Sequence, residues 1–188
     1  MDIDKSVFNE FPTLESERLV YRKVTSQDIE DIFNIYGDPE VARYDWFSPI
    51  DTKDKGLDII NNYRTEFINK EEITWGVAKK DDNRIMGYCS LGDFDQEALR
   101  CEIGYGFNRN QWNKGYGTEA IRTLTKFGFE SMRLNRIEAV VTLGNHGSIK
   151  ALKKAGFTEE GTMRQRTFMK GHLVDDVMLS IIREDYYR

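Results

Sequence analysis

Proline is scarce, three in 188 residues, too few to build a stiff linker or to interrupt most regular elements. Cysteine is scarcer still. Cys89 and Cys101 stand alone, which excludes a disulfide-stapled scaffold. With His146 and His172 distant from both, no tetrahedral zinc site can be written, and no metal is expected. The thiols read as buried groups in a reducing compartment; if their strands form a hairpin centred near Asp95, they lie almost opposite each other. No apolar run approaches the roughly 20 residues that span a bilayer, so no membrane contact is expected. The acidic opening MDIDKSVFNEFP lacks an apolar core, so no secretion signal is read and the expected location is cytoplasmic. Nor is there spare positive charge. A net charge of −5 argues against nucleic-acid binding and suits a cationic partner such as an amine.

An apolar share of 39% beside 31% charged residues fits a soluble globular protein, and the length fits a single domain over residues 1–188. Arg18–Val24 reads as a strand. Ser26–Tyr36 begins with a cap and acidic residues and sets Ile29, Ile32, Phe33 and Tyr36 on one helical face, until Gly37-Asp38-Pro39 ends it. Lys53–Ile68 is a second helix. Strand periodicity then takes over in Ile73–Lys79, Arg84–Leu91 and Leu99–Phe107, with a turn at Lys80–Asn83. Tyr116–Phe129 is a strongly amphipathic helix, Ile137–Leu143 a buried strand, and Ser148–Lys154 a short helix. Thr158–Phe168 and Leu173–Ile182 close the chain as strands. The order predicts an α/β (α+β) fold: a mixed, mostly antiparallel sheet of about seven strands with helices on both faces.

The stretch WNKGYGTEA lies between a strand and a strong helix. A helix N-terminus presents unpaired N–H groups and partial positive charge, and Gly115 and Gly117 let a backbone approach an anion, with Lys114 adding a point charge. It is neither a Walker A loop nor a dinucleotide-binding turn. Taken alone, it is equally a plain strand-to-helix turn. Its neighbours favour a ligand. Gly104 and Gly106 inside a strand suggest a bulge or a close backbone approach, and Asn145-His146-Gly147-Ser148 forms another polar helix start. Together they describe a cleft for a long ligand with phosphates at one end and amides in the middle.

These segments resemble the GNAT acyl-CoA N-acyltransferase superfamily, and within it the RimJ/RimL-like branch of protein N-terminal acetyltransferases. LESERLVYRKVTSQDIEDIFNIYGDPEVARY is similar to that branch's first strand and helices, ITWGVAKKDDNRIMGYCSL to its hairpin, and CEIGYGFNRNQWNKGYGTEA to its acetyl-CoA core. NHGSIKALKKAGF is similar to its Asn-x-x-Ser helix, and GHLVDDVMLSIIRED to its closing strand. One departure stands out: Trp112 occupies the first position of the pyrophosphate motif, with Gln111 just before it. The resemblance implies acetyl-CoA as co-substrate. It lays pyrophosphate on Asn113, Lys114, Gly115, Tyr116, Gly117 and Thr118 and pantetheine along Phe107, Asn108 and Arg109. Asn145 would then bond the amide arm and Lys154 the adenosine phosphate. His146 reads as a loop residue.

Acyl transfer to an amine needs a neutral amine, a stabilised oxyanion and a proton for the leaving thiolate. Glu102 is the candidate base, directly or through water, and N–H groups near Phe107 the oxyanion contact. Ser148 is the candidate acid, with Tyr105 and Tyr116 as runners-up. Tyr44, Trp46 and Phe47 are expected to line the acceptor side together with Asp45, and Asp175 or Asp176 to meet the acceptor's ammonium. The implied activity is N-acetylation of a primary amine, with a protein N-terminal α-amino group as the favoured acceptor. A small-amine acetyltransferase and a non-catalytic coenzyme A sensor are the alternatives. The protein is expected to be a monomer or a homodimer.

Overall fold

The computed structural model describes residues 2–188. Eight strands form one sheet: β1 (Leu14–Glu15), β2 (Leu19–Arg22), β3 (Glu72–Lys79), β4 (Asp82–Asp95), β5 (Arg100–Phe107), β6 (Arg136–Thr142), β7 (Thr158–Met169) and β8 (His172–Ile182), in the order β1-β2-β3-β4-β5-β6-β8-β7. The strand beyond the expected set is the two-residue β1, too short for periodicity to show. Every pairing is antiparallel except β5 with β6. That parallel pair needs a crossover, which α3 (Tyr116–Glu130) supplies. Among the described residues, no helix is long and apolar enough to cross a membrane.

Each face of the sheet carries helices, and strand alternation sorts the side chains between them. α1 (Ile29–Tyr36) and α2 (Lys53–Asn69) cover Ala78 and Ile85 with Ile32, Ile35 and Ile60. α3 and α4 (His146–Lys154) cover the larger cluster, in which Ala120, Ile121, Leu124 and Leu152 meet Trp75, Leu91 and Ile137. Trp75 meets Phe127 edge-on at 5.5 Å and donates its indole N–H to Pro12 O at 2.6 Å. The short α5 (Arg183–Tyr186) ends the chain against β8.

The helix starts have identifiable causes. A 3-10 turn over Ser26–Asp28 leads into α1, and its cap falls on Thr25, not Ser26, because Thr25 and Asp28 complete a capping box; Asp28 accepts from Thr25 N–H at 2.8 Å and from Arg22 at 2.7 Å. Thr52 caps α2, which stops where Lys70 turns left-handed, at φ 60°. Asn145 caps α4, its Oδ1 accepting from Ser148 N–H at 3.2 Å. The thiols do not face each other: Cys89 sits opposite Tyr105, four positions along the strand from Cys101. Both are buried and free, and burial pushes both thiols well above their usual range.

Candidate active site

The parallel contact between β5 and β6 is brief. It covers Arg100↔Arg136, Cys101↔Ile137 and Glu102↔Glu138, whereas β5 stays paired with β4 through Gly87↔Phe107. From Ile103 onward the two central strands diverge and leave a gap. Asn108 donates its N–H to Met86 O on the β4 side at 2.9 Å. By alternation, the main-chain groups of Tyr105 and Phe107 face into the gap.

The bulge expected at Gly104 and Gly106 is absent, since the β4–β5 register runs evenly from Gly92 to Gly87. These glycines answer to packing. A Cβ on Gly106 would sit 2.6 Å from the Tyr88 ring, and one on Gly104 would sit 2.8 Å from Ser90 Oγ. They make room for Tyr88 and Ser90, which line the cleft on this face of the sheet. The exposed backbone edge comes from the parting strands instead.

At the end of β5 the chain turns toward α3 over a bed of free amides. Trp112 N–H donates to Arg109 O at 3.2 Å and Glu119 N–H to Gly115 O at 3.1 Å. Between them, the N–H groups of residues 113–118 have no partner among the described residues. Gly115, at φ 82°, makes the left-handed turn that brings them together. A Cβ on Gly117 would touch nothing closer than Phe107 Cε2 at 4.0 Å, so the space above that amide is open. Trp112, the unexpected residue of the motif, fastens the loop to the strand before it, its indole N–H donating to Phe107 O at 2.8 Å. Beside it, Gln111 Oε1 is buried without a partner.

Side chains brace this loop from outside. Arg18 donates to Lys114 O at 3.0 Å and pairs with Glu119 at 2.6 Å, and its guanidinium covers the Tyr116 ring at 4.5 Å. Burial alone would raise the Glu119 carboxyl, but hydrogen bonds from Arg18 and Ser16 outweigh it and hold the carboxyl low. Tyr116 is therefore a bracing residue and does not line the cleft. Asn108 caps Asn110 N–H at 3.3 Å, and Arg109 reaches Asp38 at 3.5 Å. Lys114 and Lys154 are exposed beside the loop and on α4. His146 is an exposed first residue of α4.

A cleft of about 800 Å³ opens on the other side of the gap. It brings together Glu102, Ser148, Asn145, Tyr44, Trp46 and Phe47, all named from sequence. Trp46 stands 80% exposed at the rim, whereas Phe47 is mostly buried against Tyr36 at 4.7 Å. Asp175 lies outside: alternation turns it to the opposite face, where it accepts from Gln165 N–H at 2.8 Å. Asp176 is the one that lines the cleft, 2% exposed, bonded to Thr167 Oγ1 at 2.6 Å and to Arg166 at 3.5 Å.

The cleft wall is acidic, with seven carboxylates against the cations Lys55 and Arg166. Burial pushes the Glu102 carboxyl up; Arg166 opposes this, and Asp93, Glu138 and Glu72 push the same way. Glu102 makes no hydrogen bond among the described residues. On the opposite face of β5, Ser148 Oγ donates to Tyr105 Oη at 2.8 Å, and Tyr105 Oη donates to Ser148 O at 3.2 Å. Burial carries the Tyr105 phenol up to about 12 against the pull of Ser148, so it is a neutral donor at neutral pH. Tyr88 donates to Asp45 at 3.3 Å and stacks on Tyr36 at 5.0 Å, and Tyr36 in turn bonds the Tyr63 hydroxyl. Tyr88 and Ser90 are not apparent as site residues from sequence. Their alternation with Cys89 in GYCSL signals a shared face, but only the pairing with Gly104 and Gly106 shows that this face is open.

Residues 18–158 match the family model described as an acetyltransferase (GNAT) domain. A Bacillus licheniformis protein described as the uncharacterized N-acetyltransferase p20 is 35% identical over 174 residues, covering 93% of this chain and 98% of its own. A Bacillus anthracis GNAT-family acetyltransferase superposes with a TM-score of 0.83 at 25% identity, over 92% of this chain and 99% of that one. Mycobacterium smegmatis RimJ, solved in complex with CoA-disulfide, superposes with a TM-score of 0.82 at 20% identity, over 90% of this chain and 84% of that one.

Proposed function

The chain belongs to the GNAT acetyltransferase family, and on that premise we propose that it moves the acetyl group of acetyl-CoA to a primary amine across the gap between β5 and β6. One arrangement carries this reading. A row of unpartnered amides lies beside parted strands, with an unbonded carboxylate on one face of β5 and a hydroxyl pair on the other. The free N–H groups of residues 113–118 at a helix start suit a pyrophosphate, and the unobstructed space over Gly117 leaves room for it. The backbone edge at Tyr105 and Phe107 suits the amides of a pantetheine arm, flanked by Asn108, Arg109 and Asn145. The exposed ammonium of Lys154 suits a peripheral phosphate.

Acetyl-CoA supplies an acetyl group activated as a thioester. Glu102 takes the proton that the acceptor nitrogen releases, directly or through one water; its raised pKa brings it closer to the range in which a base works best. Phe107 N–H bonds the carbonyl oxygen as it gains charge. The pair Tyr105–Ser148 returns a proton to the departing sulfur, Tyr105 through its Oη and Ser148 by holding that hydroxyl in place. Base and acid occupy opposite faces of one strand, which fits direct attack without a covalent acyl-protein. The favoured acceptor is a protein N-terminal α-amino group, the acceptor class of the RimJ/RimL-like branch that the sequence resembles.

The test is release of free thiol from acetyl-CoA on adding a panel of peptides and small amines. Thiol release that depends on an amine, with matching acetylated product by mass spectrometry, is expected. Coenzyme A binding without thiol release from any amine would replace transfer with a binding role.

A further inference from the structure

The cleft holds more negative charge than one reacting amine needs. Gly92 lies opposite Glu72 on β3 and opposite Glu102 on β5, so the two glutamates flank a residue without a side chain. Glu72 leans over it: a Cβ on Gly92 would fall 2.5 Å from Glu72 Oε2. Glu66, on α2, faces the same space. In a protein whose charges are otherwise extensively paired, Glu66, Glu72 and Glu102 make no ion pair among the described residues; the one polar contact, on Glu72, comes from Thr74 Oγ1 at 3.0 Å. Two steps along β4 from Gly92, Ser90 points into the cleft. It is only 8% exposed, yet Ser90 Oγ has no hydrogen-bond partner among the described residues. Gly104 leaves the space that this hydroxyl fills. The hydroxyl stays open to the cleft and is free to bond a polar group that enters it. Tyr63 and the stacked pair Tyr36–Tyr88 supply aromatic surface beside these carboxylates, which attracts ammonium groups.

We propose that the acceptor carries a second cationic group, held by Glu66 and Glu72 while Ser90 and Glu102 receive the reacting nitrogen. The inference rests on the acetyl-transfer reading above and narrows its acceptor to an amine with a further ammonium or guanidinium a short chain away. A diamine and a peptide with a basic residue near its N-terminus share this chemistry.

The experiment compares putrescine with butylamine, and a tripeptide with lysine at its second position with one bearing glutamine there, at saturating acetyl-CoA. The dicationic member of a pair is expected to have about tenfold higher kcat/KM, as a charge-assisted contact in a half-exposed site allows. Which pair shows the larger ratio names the source. Glu72→Gln keeps an acceptor for Thr74 and should fold; combined with Glu66→Gln it should bring the ratio to within about twofold. Equal rates in the wild type, or a ratio that survives both substitutions, overturns the proposal. Calorimetric titration of the same pairs into the coenzyme A-saturated protein reads the subsite without turnover. Preferential binding without turnover would therefore sink the transfer reading alone, and turnover without preference would sink only this one.

Discussion

The two halves of the cleft are made of different material. On the side we assign to the coenzyme the groups on offer are main chain: the amides of residues 113–118 and the edge of β5 at Tyr105 and Phe107. On the side we assign to the acceptor they are side chains: Glu102, Ser90, Tyr88, Glu72 and Asp45, contributed by three strands and a loop. A main-chain site needs conformation and clearance, so it is sensitive to what fills the space over Gly117 and tolerant of its bracing side chains. A side-chain site is sensitive to single functional groups and leaves the coenzyme half untouched.

The largest expected effect would break this contrast if it failed. Gly117→Trp puts an indole where a Cβ meets only open space, so the fold should persist while coenzyme A affinity falls by roughly a hundredfold or more. Calorimetry reads the affinity and thermal unfolding the fold; normal affinity would end the main-chain reading. Next comes Glu102→Gln, which should lower kcat about a hundredfold while leaving coenzyme A affinity unchanged. Its pH profile sharpens the assignment. Because the folded-state pKa is raised, the active deprotonated form appears only above the usual glutamate range, and the ascending limb of kcat/KM should sit correspondingly higher. In the Gln variant that limb should vanish.

Tyr105→Phe deletes the hydroxyl bonded to Ser148 and should cost about tenfold in kcat. If the two act as one donor, Ser148→Ala should add little to the Tyr105→Phe loss. The smallest effect belongs to the brace: Arg18→Ala releases Lys114 O and Glu119 but removes none of the amides. A loss of about threefold in coenzyme A affinity is expected. The change in stability should stay below about 1 kcal/mol, since the Arg18 side chain is 44% exposed. A loss of affinity as large as that expected for Gly117→Trp would show that the loop's conformation hangs on this one side chain.

Legibility in the sequence followed the same division. α3 was visible because Ala120, Ile121, Leu124 and Phe127 recur at helical spacing, and the loop before it because a left-handed Gly115 leaves a local mark. The helix cap slipped from Ser26 to Thr25 because only the reciprocal bond with Asp28 selects between neighbouring hydroxyls. Gly104 and Gly106 were noticed for the wrong reason. A glycine in a strand announces a close approach, but whether the visitor is a ligand or Tyr88 across the ladder depends on register. The same parity decided between Asp175 and Asp176 on the final strand.

By itself the sequence determined the order of strands and helices, the conformations available to residues 113–118, and the carboxylate and hydroxyls on offer, because periodicity, glycine and functional groups are local properties. The tertiary structure alone decided that β5 and β6 part after Glu102↔Glu138. It also decided that Ser148 meets Tyr105 and that Glu72, Ser90 and Glu102 share one acidic space. These juxtapositions join residues far apart in the chain, and pairing register, which no short window contains, sets which side chains meet.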